Sequence, residues 1–343
     1  RTEGDRVVLE HAGLRAEFSP DGTLTRLLDR GAGREVLGPA GHRLVAYPDL
    51  PYAWDAWDVA RDLGPDGEPL LGPCTVQLTA TGPLRGGVRV TRQWRDSVVT
   101  QEFTLDAGQP QLDVTLHLDW QERHTLLRAE TQVNVHAHEA WAETAMGAQP
   151  RPTHRNMPAD AAQFEVSAHR WLDLSEPGYG VSLLNDGRYG HSVLGDTLAL
   201  SLARGPMWPD PRADLGQHTV RYALYPHGGD WRAAHTPRAG FELNSPLLAH
   251  PGTLDLRGAS ALSGLDVMLS SLKPAQDGQG VILRVYEARG QRGTLRIDLG
   301  AAGTLEPVNL LEDPTGPVHG GPVCEVPVRP FEILSVRLRP AVP

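Results

Sequence analysis

Residues 112–119 read Leu-Asp-Val-Thr-Leu-His-Leu-Asp and alternate without a break. Successive side chains of a strand point to opposite faces. Leu112, Val114, Leu116 and Leu118 therefore share one face, and Asp113, Thr115, His117 and Asp119 the other. A strand with one apolar and one wet face belongs to an antiparallel sheet. The same period of two recurs in 88–94 and 98–105. No stretch keeps helical apolar spacing for more than three turns. The chain must then be built from short strands, and its 37 Gly and 29 Pro supply the turns such a chain needs.

Along the chain, 7–10 and 14–18 read as strands, Ser19-Pro20-Asp21-Gly22 as a turn, and 23–28 as the return. Residues 29–41, rich in Gly and Arg, read as loop, and 42–47 as a strand. Val133, Val135 and Ala137 alternate with Asn134, His136 and His138, which extends a strand through 137. Residues 150–156 read as a polar loop. Asn185-Asp186-Gly187, after the apolar run 181–184, is a hairpin signal, because Asn, Asp and Gly tolerate positive φ. Residues 205–211 hold too much Pro for a helix and form a rigid loop. The pattern loosens over 228–252, which reads as a crossing between domains. Short strands at 262–272, 280–287, 294–299 and 331–338 suit a small sandwich. The expected architecture is all-β: a large antiparallel β-sandwich over 1–250, then a small β-sandwich over 251–343.

Charge and composition exclude several classes. A formal charge of −10 and a pI near 5.8 leave no concentrated positive face for nucleic acid. No apolar run is long enough to span a bilayer, so no membrane partner is expected. The charged start, Arg1 to Arg6, has no apolar signal core, and the missing initiator Met suggests a fragment of a longer protein. Two cysteines, Cys74 and Cys324, make neither a disulfide framework nor a zinc knuckle and read as reduced thiols in a cytoplasmic protein.

Trp54, Asp55, Trp57 and Asp58 repeat two residue types at a spacing of three. Carboxylates accept hydrogen bonds from sugar hydroxyls, and indoles stack on the apolar faces of pyranose rings. The same residues also fit a second reading, with Trp in a core and Asp capping turns. His136-x-His138 and His117-x-Asp119 each place two metal-type ligands on one strand face, with no third ligand at a fitting spacing.

Several stretches together resemble the C-terminal β-region of α-mannosidases of glycoside hydrolase family 38. They are His169-Arg170-Trp171-x-Asp173-Leu174-Ser175, Tyr179-Gly180-Val181, Leu183-Leu184-Asn185-Asp186-Gly187, Tyr189-Gly190, Leu200-Ser201-Leu202, Pro209-Asp210-Pro211 and Tyr222-Ala223-Leu224-Tyr225-Pro226-His227. Residues 54–58, 151–156, 283–287 and 330–333 resemble further family segments, so the match covers nearly the whole chain. The resemblance implies a supersandwich, mutarotase-like fold and a parent enzyme that is a retaining glycosidase cleaving terminal α-mannosides. It implies a zinc ion that grips the sugar, held in an N-terminal α/β barrel. No α/β region is present here, so no catalytic residue and no zinc ligand is assigned to this chain, and no cofactor is expected in it. Implied partners are a mannoside or oligosaccharide and the parent's own catalytic domain, with a homo-oligomer left open. The expected rim residues are Trp54, Asp55, Asp58, Arg155, Asn185, Asp186, Arg188 and Tyr189. Exposed Trp and Leu should gather in one patch where the barrel docks.

Two other functions fit less of the sequence. A free-standing carbohydrate-binding protein would account for Trp54, Trp57, Trp208 and Trp231. An aldose epimerase-like enzyme would need a His acid and a Glu base converging in one groove, and no motif supplies them.

Overall fold

The computed structural model describes residues 1–61, 63, 67–253 and 261–340. Residues 254–260 and 341–343, which the sequence assigns to the second domain, lie outside them. Among the described residues the strands form three sheets, of eleven, nine and six strands. The chain divides into two compact units, one of residues 1–143 and 149–245, the other of 144–148 and 246–343.

In the first unit, the central strands of one sheet run in the order Leu24–Asp29, Leu37–Pro48, Thr125–Val133, Thr197–Ala203, Gly190–Leu194. The other sheet orders Trp171–Glu176, Tyr179–Asn185, Gly216–Gly228, Leu112–Trp120, Ser97–Asp106, Arg85–Trp94 and Cys74–Thr81. These neighbours pair antiparallel, as the alternation required. Leu112, Val114, Leu116 and Leu118 all point into the shared core with Leu9, Phe18, Leu24 and Leu44 of the facing sheet. Phe18 and Phe103 meet across it at 4.9 Å between ring centroids.

The core also holds paired polar groups. His42 contacts Thr131 Oγ1 at 2.8 Å through Nδ1 and the Tyr222 hydroxyl at 2.9 Å through Nε2. Burial pushes the His42 pKa down from 6.5 to about 4, because a charged imidazolium has no solvation there. His191 is equally buried and is lowered to about 4 by the same cause.

Tertiary pairing overrides local signals in five places. Residues 37–41 are strand and not loop, since Leu37–Pro48 runs along Thr125–Val133. A Cβ on Gly38 would come within 2.8 Å of the Gln132 side chain, so this glycine marks close approach and not flexibility. The strand of 125–133 ends at Val133, and 134–138 carries the chain to Glu139–Thr144 in the second sheet. Residues 150–152 close the edge strand Gly147–Pro152, where proline is tolerated. The Asn185-Asp186-Gly187 turn closes no hairpin. Tyr179–Asn185 already has Trp171–Glu176 and Gly216–Gly228 on its two sides, so the turn delivers the next strand to the other sheet. The stretch 228–252 is no bare crossing either. It contains the helix Thr236–Asn244, with Thr236, Pro237, Gly240 and Leu243 buried.

In the second unit, the six strands make one sheet that includes Val281–Tyr286, Gly293–Val308, His319–Val328 and Ile333–Pro340. The register of Gly293–Val308 shifts between Asp298 and Gly303, and residues from both halves of the sheet pack in one core with Leu283, Leu295, Ile297, Leu305 and Val336. Glu287 is fully buried and accepts the amides of Arg289 and Gly290 at 2.8 Å and of Phe331 at 3.0 Å. Glu287→Ala strands three donors and should cost this unit about 3 kcal/mol, with Glu287→Gln in between. Thermal melting of the two variants checks this, and a melt like that of wild type rules the clamp out. No helix among the described residues is long and apolar enough to cross a membrane.

Candidate functional site

The strand Leu37–Pro48 pairs with Thr125–Val133 so that Pro48 lies beside Thr125. On the other side of Thr125–Val133, Ala203 lies beside Leu127. Three loops therefore leave the sheet at one end: 49–58, 121–124 and 204–215. Strand Gly190–Leu194 begins at this same end, since His191 faces Leu200 and Leu194 faces Thr197. The turn 185–189 thus arrives there too.

The loops are tied together by polar contacts, most of them from side chains to backbone groups. The Arg204 guanidinium bonds the carboxylate of Asp49 at 2.7 Å and the carbonyls of Ala56 and Asp55 at 3.2 Å each. It also reaches the Asp58 carbonyl. Asp55 turns its carboxylate inward and accepts the amides of Met207 at 2.7 Å and Trp208 at 3.0 Å, with His124 Nε2 at 3.1 Å. Burial works against its charge, but the two amides and His124 outweigh that and hold the carboxyl below its ordinary range. Asp214 accepts the amides of Arg204 at 2.8 Å and Gly205 at 3.2 Å. His218 donates to the Asp214 carbonyl at 2.7 Å and contacts Arg188 at 3.4 Å.

This frame presents aromatic surface to solvent. Trp54 is 66% exposed at φ 61°, Trp57 65% and Trp208 55%. The Trp57 and Trp208 rings meet edge to face at 5.3 Å. Leu50, Tyr52 and Met207 are exposed on the same loops. Trp57 and Trp208 thus share one aromatic surface, whereas other exposed leucines, among them Leu84, Leu194, Leu272 and Leu311, lie elsewhere along the chain.

The structure distributes the eight expected rim residues unevenly. Trp54, Asp55 and Asp58 share the first loop, but Asp55 spends its carboxylate on the fold, and the Asp58 side chain accepts its neighbour's amide at 3.0 Å. Asn185 is 0% exposed and accepts the amides of Gly187 and Arg188 at 2.9 Å each, so it shapes the turn. Asp186 bonds the Arg221 amide at 3.0 Å. Arg188 joins the edge through His218, and Tyr189 is exposed and rests on the His169 ring at 5.3 Å. Arg155 lies apart, bonded at 3.2 Å to the carbonyl of Val193, toward the opposite end of that strand. Sequence reasoning missed Arg204, Asp214, His124 and His218. Only the lone Arg after the apolar run 198–203 offered a signal. Trp231, grouped with the sugar-binding tryptophans, is 0% exposed and packs against Trp141 and Trp171.

Among the described residues, no group of three or more His, Cys, Asp or Glu is placed to hold a metal. His117 contacts Thr219 at 3.2 Å, and the His138 ring meets that of His154 at 6.4 Å.

Fold and edge define the class: an all-β region with a pinned aromatic face, followed by a smaller β-domain. Residues 9–212 match the description "Glycosyl hydrolases family 38 C-terminal domain", and residues 266–336 match "Glycosyl hydrolases family 38 C-terminal beta sandwich domain". The chain belongs to glycosyl hydrolase family 38 and corresponds to its C-terminal region. Human alpha-mannosidase 2C1 is 39% identical over 300 residues, covering 84% of this chain and 29% of the human protein. The Saccharomyces cerevisiae alpha-mannosidase is 30% identical over 369 residues, covering 97% of this chain and 34% of the yeast protein. This chain thus spans only about a third of the length of those relatives. The crystal structure of an alpha-mannosidase from Enterococcus faecalis V583 superposes with a TM-score of 0.79 at 16% identity, over 96% of this chain and 42% of that one, which shows a shared fold.

Proposed function

We propose that this chain is the β-portion of a longer, retaining, zinc-dependent α-mannosidase, that it supports the catalytic barrel, and that its aromatic edge lines the rim of the sugar site. The observation that carries the reading is the pinned loop that turns Trp54, Trp57 and Trp208 outward, on a chain whose relatives bear the name alpha-mannosidase. Stacked indoles hold a pyranose by its apolar face, and Asp58, Arg188 and Tyr189 at the same edge offer groups for its hydroxyls. Asp55, Asn185 and Asp186 serve the rim indirectly, by fixing loop and turn. The nucleophile, the acid/base and the zinc ligands belong to polypeptide beyond this chain. A retaining hydrolysis needs two carboxyl groups about 5 Å apart, flanking the scissile bond. The acidic composition and the two unpaired cysteines suit the cytoplasm.

The test compares this chain with the full-length parent on an aryl α-mannoside, measuring zinc in both. Turnover and zinc in the longer protein alone are expected, and turnover by the isolated chain overturns the reading. Glycan binding without turnover by the isolated chain, and no mannosidase activity in the parent, would favour a stand-alone binding protein. In the parent, Trp54→Ala should raise KM about three- to tenfold with kcat nearly kept, the worth of one aromatic stack. An unchanged KM would remove Trp54 from the rim.

A further inference from the structure

The geometry points to Arg204 as the positioning residue of the aromatic edge, the one side chain that sets the shape in which Trp54 and Trp57 stand outward. The inference rests on the rim reading for its consequence in sugar binding, and on contacts alone for its effect on the loop.

The loop 49–58 has little internal support. The amides of Trp57 and Asp58 reach the Trp54 carbonyl at 2.7 and 2.9 Å, which closes one tight turn. Trp54 itself sits at φ 61°, a conformation that a bulky residue adopts only when its surroundings hold it there. The three carbonyls that follow or flank that turn, those of Asp55, Ala56 and Asp58, all face a single guanidinium. Asp49, at the foot of the loop and 1% exposed, anchors the same group through its carboxylate. A planar fork with several fixed donors can serve four acceptors at once, and an ammonium cannot. Arg204 is also held from behind, since its own amide and that of Gly205 are bonded by Asp214. The guanidinium therefore transmits the position of the sheet end, through Ala203, to the tips of two exposed indoles.

The consequence concerns order more than fold. A loop that samples several shapes pays for ordering when a ligand stacks on it, so affinity falls although no contacting group has changed. Arg204→Lys keeps a positive charge beside the buried Asp49, which protects the sandwich from an unpaired carboxylate, and removes the fork. Arg204→Gln serves as the second variant.

The experiment uses this chain, with hydrogen exchange of the Trp57, Asp58, Met207 and Trp208 amides as one readout. Binding of an α-linked mannotriose, followed by tryptophan fluorescence, is the other. In Arg204→Lys those four amides should exchange at least about tenfold faster, while amides of Leu112–Trp120 keep their protection, as local opening requires. Mannotriose affinity should fall about tenfold with the melting temperature nearly unchanged. Retained protection at the four amides overturns the inference, whatever the sugar does. Loosened amides with unchanged mannotriose affinity overturn it as well. If the wild-type chain binds no mannotriose, the exchange result alone decides whether Arg204 positions the loop, and the rim reading is decided by the KM of Trp54→Ala in the parent.

Discussion

Gly205→Ala should lower the unfolding free energy by about 3 kcal/mol or more and abolish the order of the aromatic edge. Gly205 has φ 64°, where an L side chain costs about 1 kcal/mol. The larger part is steric. A Cβ there would stand 2.1 Å from the carbonyl oxygen of Glu122 and 3.1 Å from the Arg123 Cα. Both obstacles are backbone, so neither can swing aside. The position is fixed on both sides as well: its carbonyl accepts the His124 amide at 2.9 Å, and its amide donates to Asp214 at 3.2 Å. Relief of the clash must pull apart the three loops that meet at this end. Gly205→Asn isolates the two effects, since Asn tolerates positive φ but still carries the Cβ. Urea unfolding and near-ultraviolet circular dichroism of the tryptophans should show both variants strongly impaired. A Gly205→Asn protein as stable as wild type would show that the overlap relaxes at no cost.

Acid should destabilise the first unit well above the pH at which ordinary carboxylates titrate. His42 and His191 are held neutral by burial, with pKa values lowered from 6.5 to about 4. A lowered histidine pKa means that the unfolded chain binds the proton first. Stability is then fully present above pH 6.5 and is lost as pH falls toward 4. Each residue contributes on the order of 3 kcal/mol over that window, and the slope for the pair approaches that of two protons near its middle. Asp113 and Glu165 work in the opposite sense. Burial raises their pKa values, so the folded chain takes up protons there first and part of the slope is offset. Replacing His42 by Gln isolates the imidazole contribution. The variant should be less stable at pH 7.5, because the links to Thr131 and Tyr222 weaken, and its slope between pH 6 and 5 should fall by close to one proton. Urea midpoints at pH 7.5, 6 and 5 measure it. Stability that is flat or rising as pH drops through that range would refute buried neutral histidines.

Most strands were legible because alternation is a local rule. The faces of 112–119 can be assigned from eight letters, and the core received the side that those letters named. The glycines of 38 and 41 misled for the same reason, since a residue that loosens a free chain also permits close approach to a neighbouring strand. Asn185 announced its turn correctly, but whether the next strand returns beside its predecessor or crosses to another sheet depends on which edges are already taken. The Trp-Asp repeat of 54–58 had two readings, and both hold in part: the indoles face outward, and Asp55 caps the loop that follows Gly205.

By itself the sequence determined an all-β chain, most of its turns, and membership of a glycosyl hydrolase family through residues spread along nearly its whole length. The tertiary structure decided how the edge is made. Arg204 and Asp49 are 155 positions apart, and His124 meets Asp55 across 69. Strand alternation is written in neighbouring side chains, whereas the partners of a guanidinium here are mostly carbonyl oxygens. Every residue carries one, so no letter marks those that a fold will bring to Arg204.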